Sequence, residues 1–344
     1  MAATDVVVIG AGQAGLSSAY FLRRAELDFV VLDGNDAPGG AWQHRWPTLR
    51  IATVHGIFDL PGMHFDPPPD SARAAVAVPA YFAAYEREFD LPIRRPVRVR
   101  DVRHDDGRRI VHTDDGDWTA RAVINATGTW NTPFWPHYPG RETFLGRQLH
   151  TADYRGPAEF AGLRVVVVGG GTSAVQLLTE IADVATTTWV TRRPPVFRDG
   201  PFDADYGRAV VAMVDGRVRA GLPPDSVVSA TGLVATPAAV AASGRRLPMF
   251  DRITPDGVAW ADGRFVPADV ILWCTGWRAS LDHLAPLHLR GPGGGITMDG
   301  TRVVAEPRLH LVGYGPSAST VGANRAGRQA VQEIRALIRP VVRT

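Results

Sequence analysis

Three glycines close to the start of the chain have a spacing suited to binding phosphate. Gly10, Gly12 and Gly15 form the pattern G-x-G-x-x-G directly after an apolar, β-branched run at residues 6–9. In such a turn the first glycine permits a tight bend, the second lets the backbone approach a pyrophosphate, and the third lets a helix close on the strand. The amino end of that helix adds free N–H groups and a positive dipole. The pattern therefore predicts a site for the pyrophosphate of a dinucleotide.

An acidic residue completes this first unit. Residues 29–32 form a second apolar run, and the run ends in Asp33. This is about the distance from the glycines at which a carboxylate binds the ribose hydroxyls of a dinucleotide. Because the glycine turn lies between two strands and is closed by an acid, the context favours a nucleotide site over a purely structural turn.

The second half of the chain repeats the pattern with a different ending. Residues 165–168 are four valines, and Gly169, Gly171 and Ala174 follow at G-x-G-x-x-A spacing. The next strand, residues 187–190, leads through Thr191 to Arg192 and Arg193 instead of an acid. A guanidinium at this position pairs with a ribose 2′-phosphate, so NADPH is favoured over NADH. The alternative is that both arginines are merely exposed to solvent.

The composition excludes several kinds of chemistry. The 344 residues include no lysine, which excludes a lysine Schiff base. The single cysteine, Cys274, excludes a disulfide framework and a C-x-x-C redox pair within one chain. The net charge is only +2, and aspartates lie among the arginine pairs, so no nucleic-acid partner is predicted. His55 and His283 lack ligand spacing, so no metal is predicted.

Length and hydropathy set the expected size class and location. A chain of 344 residues suggests about two domains. The amino terminus shows no basic-then-apolar export segment, and no apolar run reaches the ~20 residues that span a bilayer. We therefore expect a cytoplasmic protein without a membrane partner. The oligomeric state is left open, with a homodimer as one alternative.

Periodicity outlines the remaining elements. A helix is predicted at residues 80–89 and a terminal helix at 326–338, while residues 97–125 have a period of two broken by turn signals, which indicates an antiparallel meander. Further strands are predicted at 270–274 and 309–312. If the first and last strands share one sheet, the second unit is an insertion in the first. The predicted fold is therefore α/β, with two Rossmann-like domains: residues 1–155 and 270–344 form the first, and 156–269 the second.

The two units together resemble flavoprotein oxidoreductases that hold FAD and NADPH face to face. A sharper resemblance comes from Phe144, Gly146, His150 and Tyr154, which read F-x-G-x-x-x-H-x-x-x-Y and are similar to the identifying sequence of flavin-containing monooxygenases. The segments at residues 39–42 and 126–133 also look like landmarks of that family. The chain resembles the family's short bacterial type, without room for the substrate-side elements of its larger members.

The resemblance implies a mechanism. FAD takes a hydride from NADPH, reduced flavin reacts with O₂, and a C4a-hydroperoxyflavin delivers one oxygen atom to the nitrogen or sulfur of a small molecule. Tyr154 replaces the tryptophan of Baeyer–Villiger members, which favours this chemistry over oxidation of ketones. Two alternatives stay open: Baeyer–Villiger oxidation, and an NAD(P)H:acceptor oxidoreductase without oxygen insertion. Reduction through a dithiol is excluded, because Cys274 stands alone.

The same resemblance implies which residues bind the cofactors. For FAD they are the residues of the first glycine turn, the acid, two in the loop that follows it, one that acts through its backbone and one before the last helix: Gly10, Gly12, Gln13, Ala14, Gly15, Asp33, Gly40, Trp42, Val99 and Gly313. For NADPH they are Gly169, Gly171, Thr172, Ser173, Ala174, Arg192 and Arg193. Arg50 is the one candidate catalytic residue, facing the flavin, with a surface ion pair as the alternative. The role of His150 is left open.

Overall fold

The computed structural model describes residues 1–54, 56–198, 204–226, 230, 232–234 and 236–338, so His55 lies outside the described residues. In chain order the strands are β1 (Ala2–Ile9), β2 (Phe29–Leu32), β3 (Ile93–Arg94), β4 (Val99–Asp105), β5 (Arg108–Thr113), β6 (Trp118–Asn125), β7 (Arg147–His150), β8 (Arg164–Val168), β9 (Thr186–Thr191), β10 (Phe197–Arg198), β11 (Leu233–Val234), β12 (Leu247–Pro248), β13 (Arg252–Thr254), β14 (Gly257–Ala259), β15 (Phe265–Pro267), β16 (Val270–Trp273), β17 (Met298–Asp299), β18 (Arg302–Val303) and β19 (Glu306–Leu311). The α-helices are α1 (Gln13–Arg24), α2 (Ala74–Glu88), α3 (Thr172–Ile181), α4 (Ala204–Arg219), α5 (Pro237–Gly244) and α6 (Thr320–Ile338).

The first sheet contains both the earliest and the latest long strands of the chain. Its order is β17-β18-β19-β6-β1-β2-β3, with β4 and β5 continuing antiparallel from β6. Strand β1 pairs in parallel with β2 and β6, and β6 pairs in parallel with β19. Because β1 and β19 share this sheet, the intervening unit is inserted between them. The predicted insertion is confirmed.

The second sheet is wholly parallel and has the order β12-β9-β8-β16-β7. Strand β16 lies between β8 and β7, so both β7 and β16 belong to the inserted unit, whereas the boundaries predicted at 155 and 270 assign them to the first domain. Apolar character alone predicts that β16 is a strand but not which sheet it joins, and the polar segment of β7 gives no strand signal. The pairing therefore moves both edges of the inserted unit outward.

Helices α1 and α6 cover one face of the first sheet. Leu16, Ala19 and Leu22 of α1 are fully buried, and a Cβ added at Gly327 of α6 would lie 3.0 Å from the Ser17 Oγ of α1. The small residue allows the two helices to pack closely over β1, which fixes the amino end of α1 against the strand ends. Across the described part of the chain, we find no helix with the length and apolar character needed to cross a lipid bilayer.

Helix α2 anchors the proline-rich excursion that precedes it, a surface segment at residues 58–73. The Tyr81 hydroxyl accepts from the Leu60 backbone N–H at 2.8 Å and donates to the Met63 carbonyl oxygen at 2.7 Å. Tyr85 donates to the Pro61 carbonyl oxygen at 2.7 Å. The buried side chains of Tyr81 and Tyr85 therefore also hold this segment through their hydroxyl groups.

Candidate active site

The first glycine turn is shaped by close backbone contacts. Gly10 has φ +97°, and a Cβ there would lie 2.7 Å from the Ala126 carbonyl oxygen. A Cβ on Gly15 would overlap the Gly10 carbonyl oxygen, so α1 can close on β1 only with glycine at this position. In front of Gly12 the nearest atom to an added Cβ is the Gly40 Cα at 3.8 Å. The turn is closed on the strand side and has room on the side of the helix terminus.

Residues that are distant in sequence converge on this helix terminus. A Cβ on Gly40 would lie 2.7 Å from the Gly12 Cα, and one on Gly313 would lie 3.1 Å from the Ala14 Cβ. The Gln13 amide Nε2 donates to the Asn324 Oδ1 at 3.1 Å, while its buried Oε1 has no hydrogen-bond partner among the described residues. A dinucleotide fits this arrangement, because its phosphates can approach the backbone and a hydroxyl can donate to the Gln13 oxygen.

Asp33 lies beside this turn and has a partner that the sequence did not reveal. Its carboxylate is 4 % exposed and accepts from the Arg95 Nε at 3.0 Å and from the Asn35 Nδ2 at 2.9 Å. Arg95 also donates to both Glu86 oxygens, at 2.7 and 2.9 Å. This network fixes the orientation of the Asp33 carboxylate beside the glycine turn.

Val99 follows the two residues, Val97 and Arg98, whose backbone lies beside Asp33 and Gly34. The Val97 N–H donates to the Asp33 carbonyl oxygen at 2.8 Å, and a Cβ on Gly34 would lie 3.9 Å from the Arg98 Cα. Val99 begins β4 and pairs with Thr113. The backbone closest to the Asp33 turn is therefore that of Val97 and Arg98, and a contact between Val99 and FAD stays a prediction.

The second glycine turn has the same form. Gly169 has φ +142°, and a Cβ there would overlap the Cys274 carbonyl oxygen. A Cβ on Gly171 would meet no atom within 4 Å, so the space before the amino end of α3 is open. Thr172 begins α3, and Ser173 and Ala174 continue its first turn. The open space at Gly171 and the positive end of the helix dipole fit the phosphates of a second dinucleotide.

Arg192 and Arg193 follow β9 at the edge of this second turn. Both side chains are exposed, and neither makes a hydrogen bond or an ion pair with the residues that the structure describes. A third arginine, Arg246, lies next to them and donates from Nη1 to the Thr191 Oγ1 at 3.1 Å. The sequence contained the Arg245–Arg246 pair, but only the pairing of β12 with β9 brings it to the glycine turn.

Three tryptophans surround a guanidinium between the two units. The guanidinium carbon of Arg45 lies 5.7, 5.1 and 5.5 Å from the ring centroids of Trp42, Trp130 and Trp277. Trp130 and Trp277 are stacked with centroids 5.2 Å apart. Burial lowers the pKa of Arg45 to about 10, so the side chain is still charged at neutral pH. Trp42 was predicted at the site, whereas Arg45 was not.

The residues of the F-x-G-x-x-x-H-x-x-x-Y segment have mainly structural contacts. Tyr154 is fully buried in the core of the second unit, where its ring stacks on Phe160 with centroids 5.6 Å apart. Because this side chain faces the core, it does not select substrate by contact. His150 is also fully buried; its Nε2 lies 3.0 Å from the Gly276 carbonyl oxygen, and its ring meets the edge of Trp277 at 4.9 Å. Burial lowers the pKa of His150.

Arg50 lies on the loop that leads into the proline-rich excursion. Its Nη1 donates to the Ser71 carbonyl oxygen at 3.1 Å, and it forms no ion pair with the residues described, so these residues do not support the alternative of a surface ion pair. The reason is that residues 50 and 73 form a β-bridge, which places the Ser71 carbonyl beside the guanidinium. A contact between Arg50 and a flavin stays a prediction.

Comparison with known proteins agrees with this arrangement. The family model for pyridine nucleotide-disulphide oxidoreductases matches residues 7–252. The structure of the flavin-containing monooxygenase from Stenotrophomonas maltophilia is similar at 40 % identity and a TM-score of 0.84, over 98 % of this chain and 99 % of that chain. At 18 % identity and a TM-score of 0.68, over 97 % of this chain and 88 % of the other, a cyclohexanone monooxygenase shares the fold.

Curated relatives are matched over a shorter length. The uncharacterized oxidoreductase CzcO of Bacillus subtilis is 30 % identical over 53 % of this chain and 53 % of its own length. A ferredoxin–NADP reductase of Gluconacetobacter diazotrophicus is 32 % identical over 58 % of this chain and 55 % of its own length. The chain thus spans about half the length of the curated relatives it matches. From the family model and the full-length structural match, the chain belongs to the pyridine nucleotide-disulphide oxidoreductase family and, within it, to the flavin-containing monooxygenases, which are FAD- and NADPH-dependent enzymes.

Proposed function

We propose that the chain is a monooxygenase that takes electrons from NADPH and inserts one atom of O₂ into a nitrogen- or sulfur-containing small molecule. The observation that carries the proposal is that two glycine turns follow the carboxyl ends of parallel strands, β1 in the first sheet and β8 in the second, and that adjacent crossovers join the two units. The Ser280 N–H donates to the Gly128 carbonyl oxygen at 3.0 Å, and the Phe134 N–H donates to the Gly276 carbonyl oxygen at 2.9 Å. In open α/β sheets ligands bind outside the carboxyl ends of the parallel strands, so we assign one cofactor to each glycine turn.

The two cofactors divide the chemistry with the protein. When bound, FAD would supply the redox and oxygen chemistry, taking electrons from NADPH and activating O₂. The protein holds the flavin nucleotide with the N–H groups around Gly12 and orients its ribose with Asp33. Arg192 and Arg193 bind the 2′-phosphate of NADPH and so position the nicotinamide. In this scheme no protein side chain needs to act as a nucleophile.

The aromatic wall has a separate task, which is to limit water. Trp42, Trp130 and Trp277 present indole faces between the two units around the charged Arg45. Large flat side chains that pack around a cation exclude solvent from the space between the two units. The wall therefore favours delivery of oxygen to a substrate over loss of hydrogen peroxide.

The single thiol supports this function over a disulfide reductase. Cys274 is 8 % exposed, and burial raises the pKa of its thiol to about 12. A thiol that stays protonated and has no second cysteine in the chain is a poor nucleophile. The match to a ferredoxin–NADP reductase favours one other alternative, in which electrons leave the flavin without oxygen insertion. A Baeyer–Villiger reaction on ketones is the nearer alternative. A cytoplasmic location and a homodimer also stay predictions.

Rapid mixing with oxygen separates these alternatives. The FAD-loaded enzyme is reduced with NADPH without oxygen and then mixed with buffer containing O₂ and thioanisole. We expect a transient absorbance distinct from oxidised FAD, and sulfoxide that carries one atom of ¹⁸O from ¹⁸O₂. Immediate return to oxidised flavin with stoichiometric hydrogen peroxide would support the reductase instead, and a lactone or ester from a cyclic ketone, without sulfoxide, would support the Baeyer–Villiger reaction.

A further inference from the structure

Arg45 is a cation for which the described residues provide no anionic partner. Its guanidinium lies within 5.1 to 5.7 Å of three indole centroids. It forms neither a hydrogen bond nor an ion pair within the part of the chain that is described. Cation–π contacts stabilise the charge but do not neutralise it. A partly buried charge of this kind, packed against three aromatic faces, is stabilised further when an opposite charge joins it.

A cavity opens next to this guanidinium, and its lining is basic. The cavity has a volume of about 320 Å³, and its wall includes Gln43, His44, Arg45, Trp130 and Arg155, with no acidic residue. The Nη1 of Arg155 donates to the Ala152 and Tyr154 carbonyl oxygens at 3.0 and 3.2 Å. The Nε and Nη2 of Arg155 have no described partner and stay available for a ligand. Two guanidinium groups thus face one cavity that holds no carboxylate.

The cavity is attached firmly to both units. Gln43 donates from Nε2 to the Gly40 carbonyl oxygen at 3.2 Å, and Gly40 packs against the first glycine turn. On the other side, Ala152 and Arg155 directly follow β7 of the second unit. A ligand in this cavity would therefore lie between the two proposed cofactor sites, where a substrate must lie to react.

The proposed site for the phosphates of NADPH, at the second glycine turn, is separate from this cavity. The second glycine turn follows β8, and Arg192 and Arg193 follow β9. In the sheet order β12-β9-β8-β16-β7, strand β7 is two strands away from β8. Neighbouring strands are about 4.8 Å apart, so the segment after β7 lies roughly 10 Å from the glycine turn along the sheet. The anion that Arg45 and Arg155 accommodate is thus distinct from the pyrophosphate at that turn.

We propose that Arg45, with Arg155, binds the carboxylate of the substrate, so that the enzyme prefers aromatic nitrogen or sulfur compounds that carry a carboxylate. This assignment rests on the proposed function. In it the aromatic part of the substrate lies against Trp130, and a guanidinium binds both carboxylate oxygens. Arg45 is then a specificity-determining residue, and it takes no part in the oxygen chemistry itself.

Equilibrium binding to the oxidised, FAD-loaded enzyme tests this assignment without turnover. The probes are (phenylthio)acetate and its neutral amide, 2-(phenylthio)acetamide, followed by the flavin spectrum and by tryptophan fluorescence. Charge-assisted hydrogen bonds predict that the wild-type enzyme binds the acid at least ~10-fold more tightly than the amide. In Arg45→Gln that preference disappears while the amide binds as before. Arg45→Lys keeps the charge and is expected to retain part of the preference.

Arg264 provides a matched control, because it also makes a cation–π contact with a tryptophan. The guanidinium carbon of Arg264 lies 5.2 Å from the Trp260 centroid, and Arg264 pairs with Asp262 away from the cavity. Arg264→Gln should bind both probes like the wild type. Equal affinities of the wild-type enzyme for acid and amide would overturn the proposal, as would an unchanged preference in Arg45→Gln. So would a loss of NADPH affinity in Arg45→Gln that equals its loss of acid affinity. If the proposed oxygen insertion were wrong, only the rapid-mixing experiment would show it, because these binding measurements involve no turnover.

Discussion

Replacing Arg192 and Arg193 together by glutamine should change the choice between NADPH and NADH. The two cofactors differ only in the 2′-phosphate, so the comparison isolates that group. Both side chains lie exposed after β9, and neither is bound to another group among the described residues. Their loss therefore removes contacts with the cofactor and leaves the protein's own hydrogen bonds intact.

The expected magnitude follows from the exposure of these side chains. A hydrogen bond to a charged group contributes about 1.5–3 kcal/mol when it is shielded, and exposure to solvent lowers this to about 1 kcal/mol for each arginine. The pair then contributes about 2 kcal/mol, equal to an increase of roughly 30-fold in the Michaelis constant for NADPH. The constant for NADH should change by less than about twofold, since it offers no phosphate to either side chain.

Steady-state oxidation of each cofactor by the FAD-loaded enzyme measures both constants. Arg108→Gln serves as a control for net charge, because Arg108 is exposed on β5 of the first unit, away from the second glycine turn. Arg246 supports the loop after β9, so Arg246→Gln should raise the constant for NADPH less than the double variant does. Equal changes for NADPH and NADH, or no change for either, would refute the assignment of the 2′-phosphate to these arginines.

Three further predictions concern stability and the thiol. Arg95→Met removes the cation between the carboxylates of Asp33 and Glu86 and should lower the free energy of unfolding by about 3–5 kcal/mol. Denaturant titration measures this loss, and an unchanged midpoint would contradict the prediction. Burial lowers the pKa of His310 to about 4 from 6.5. The contribution of its neutral imidazole to the free energy of unfolding is therefore complete above pH 6.5 and is lost as the pH falls towards 4. At pH 5.5 the loss is about 1.4 kcal/mol. His310→Gln should flatten the fall in stability between pH 7 and 5.5, and a slope equal to that of the wild type would exclude this cause. Cys274→Ala should keep NADPH oxidation with bound FAD; loss of turnover would place the thiol in the reaction.

The features predicted best from the sequence are those set by local spacing. The glycine turns depend on residues within a few positions of one another, because steric limits on the backbone act locally. The insertion was also predictable, since a strand near each end of the chain has the apolar pattern of a buried parallel strand. Each of these signals can be read within a short segment of the chain.

The features that were missed depend on contacts between distant residues. Arg45 meets Trp130 and Trp277 only because the two crossover segments lie side by side, and neither spacing nor composition signals this. Arg95 likewise reaches Asp33 from a different strand. The burial of Tyr154 against Phe160 was likewise not apparent from the sequence, where this residue served only as a family marker.

The amount of FAD bound per chain tests the central claim most directly, with Gly12→Val and Gly171→Val measured beside the wild type. We expect yellow wild-type protein with one FAD per chain, colourless Gly12→Val, and Gly171→Val that keeps FAD but is reduced only at much higher NADPH concentrations. A wild-type protein that stays colourless after incubation with FAD would contradict the account.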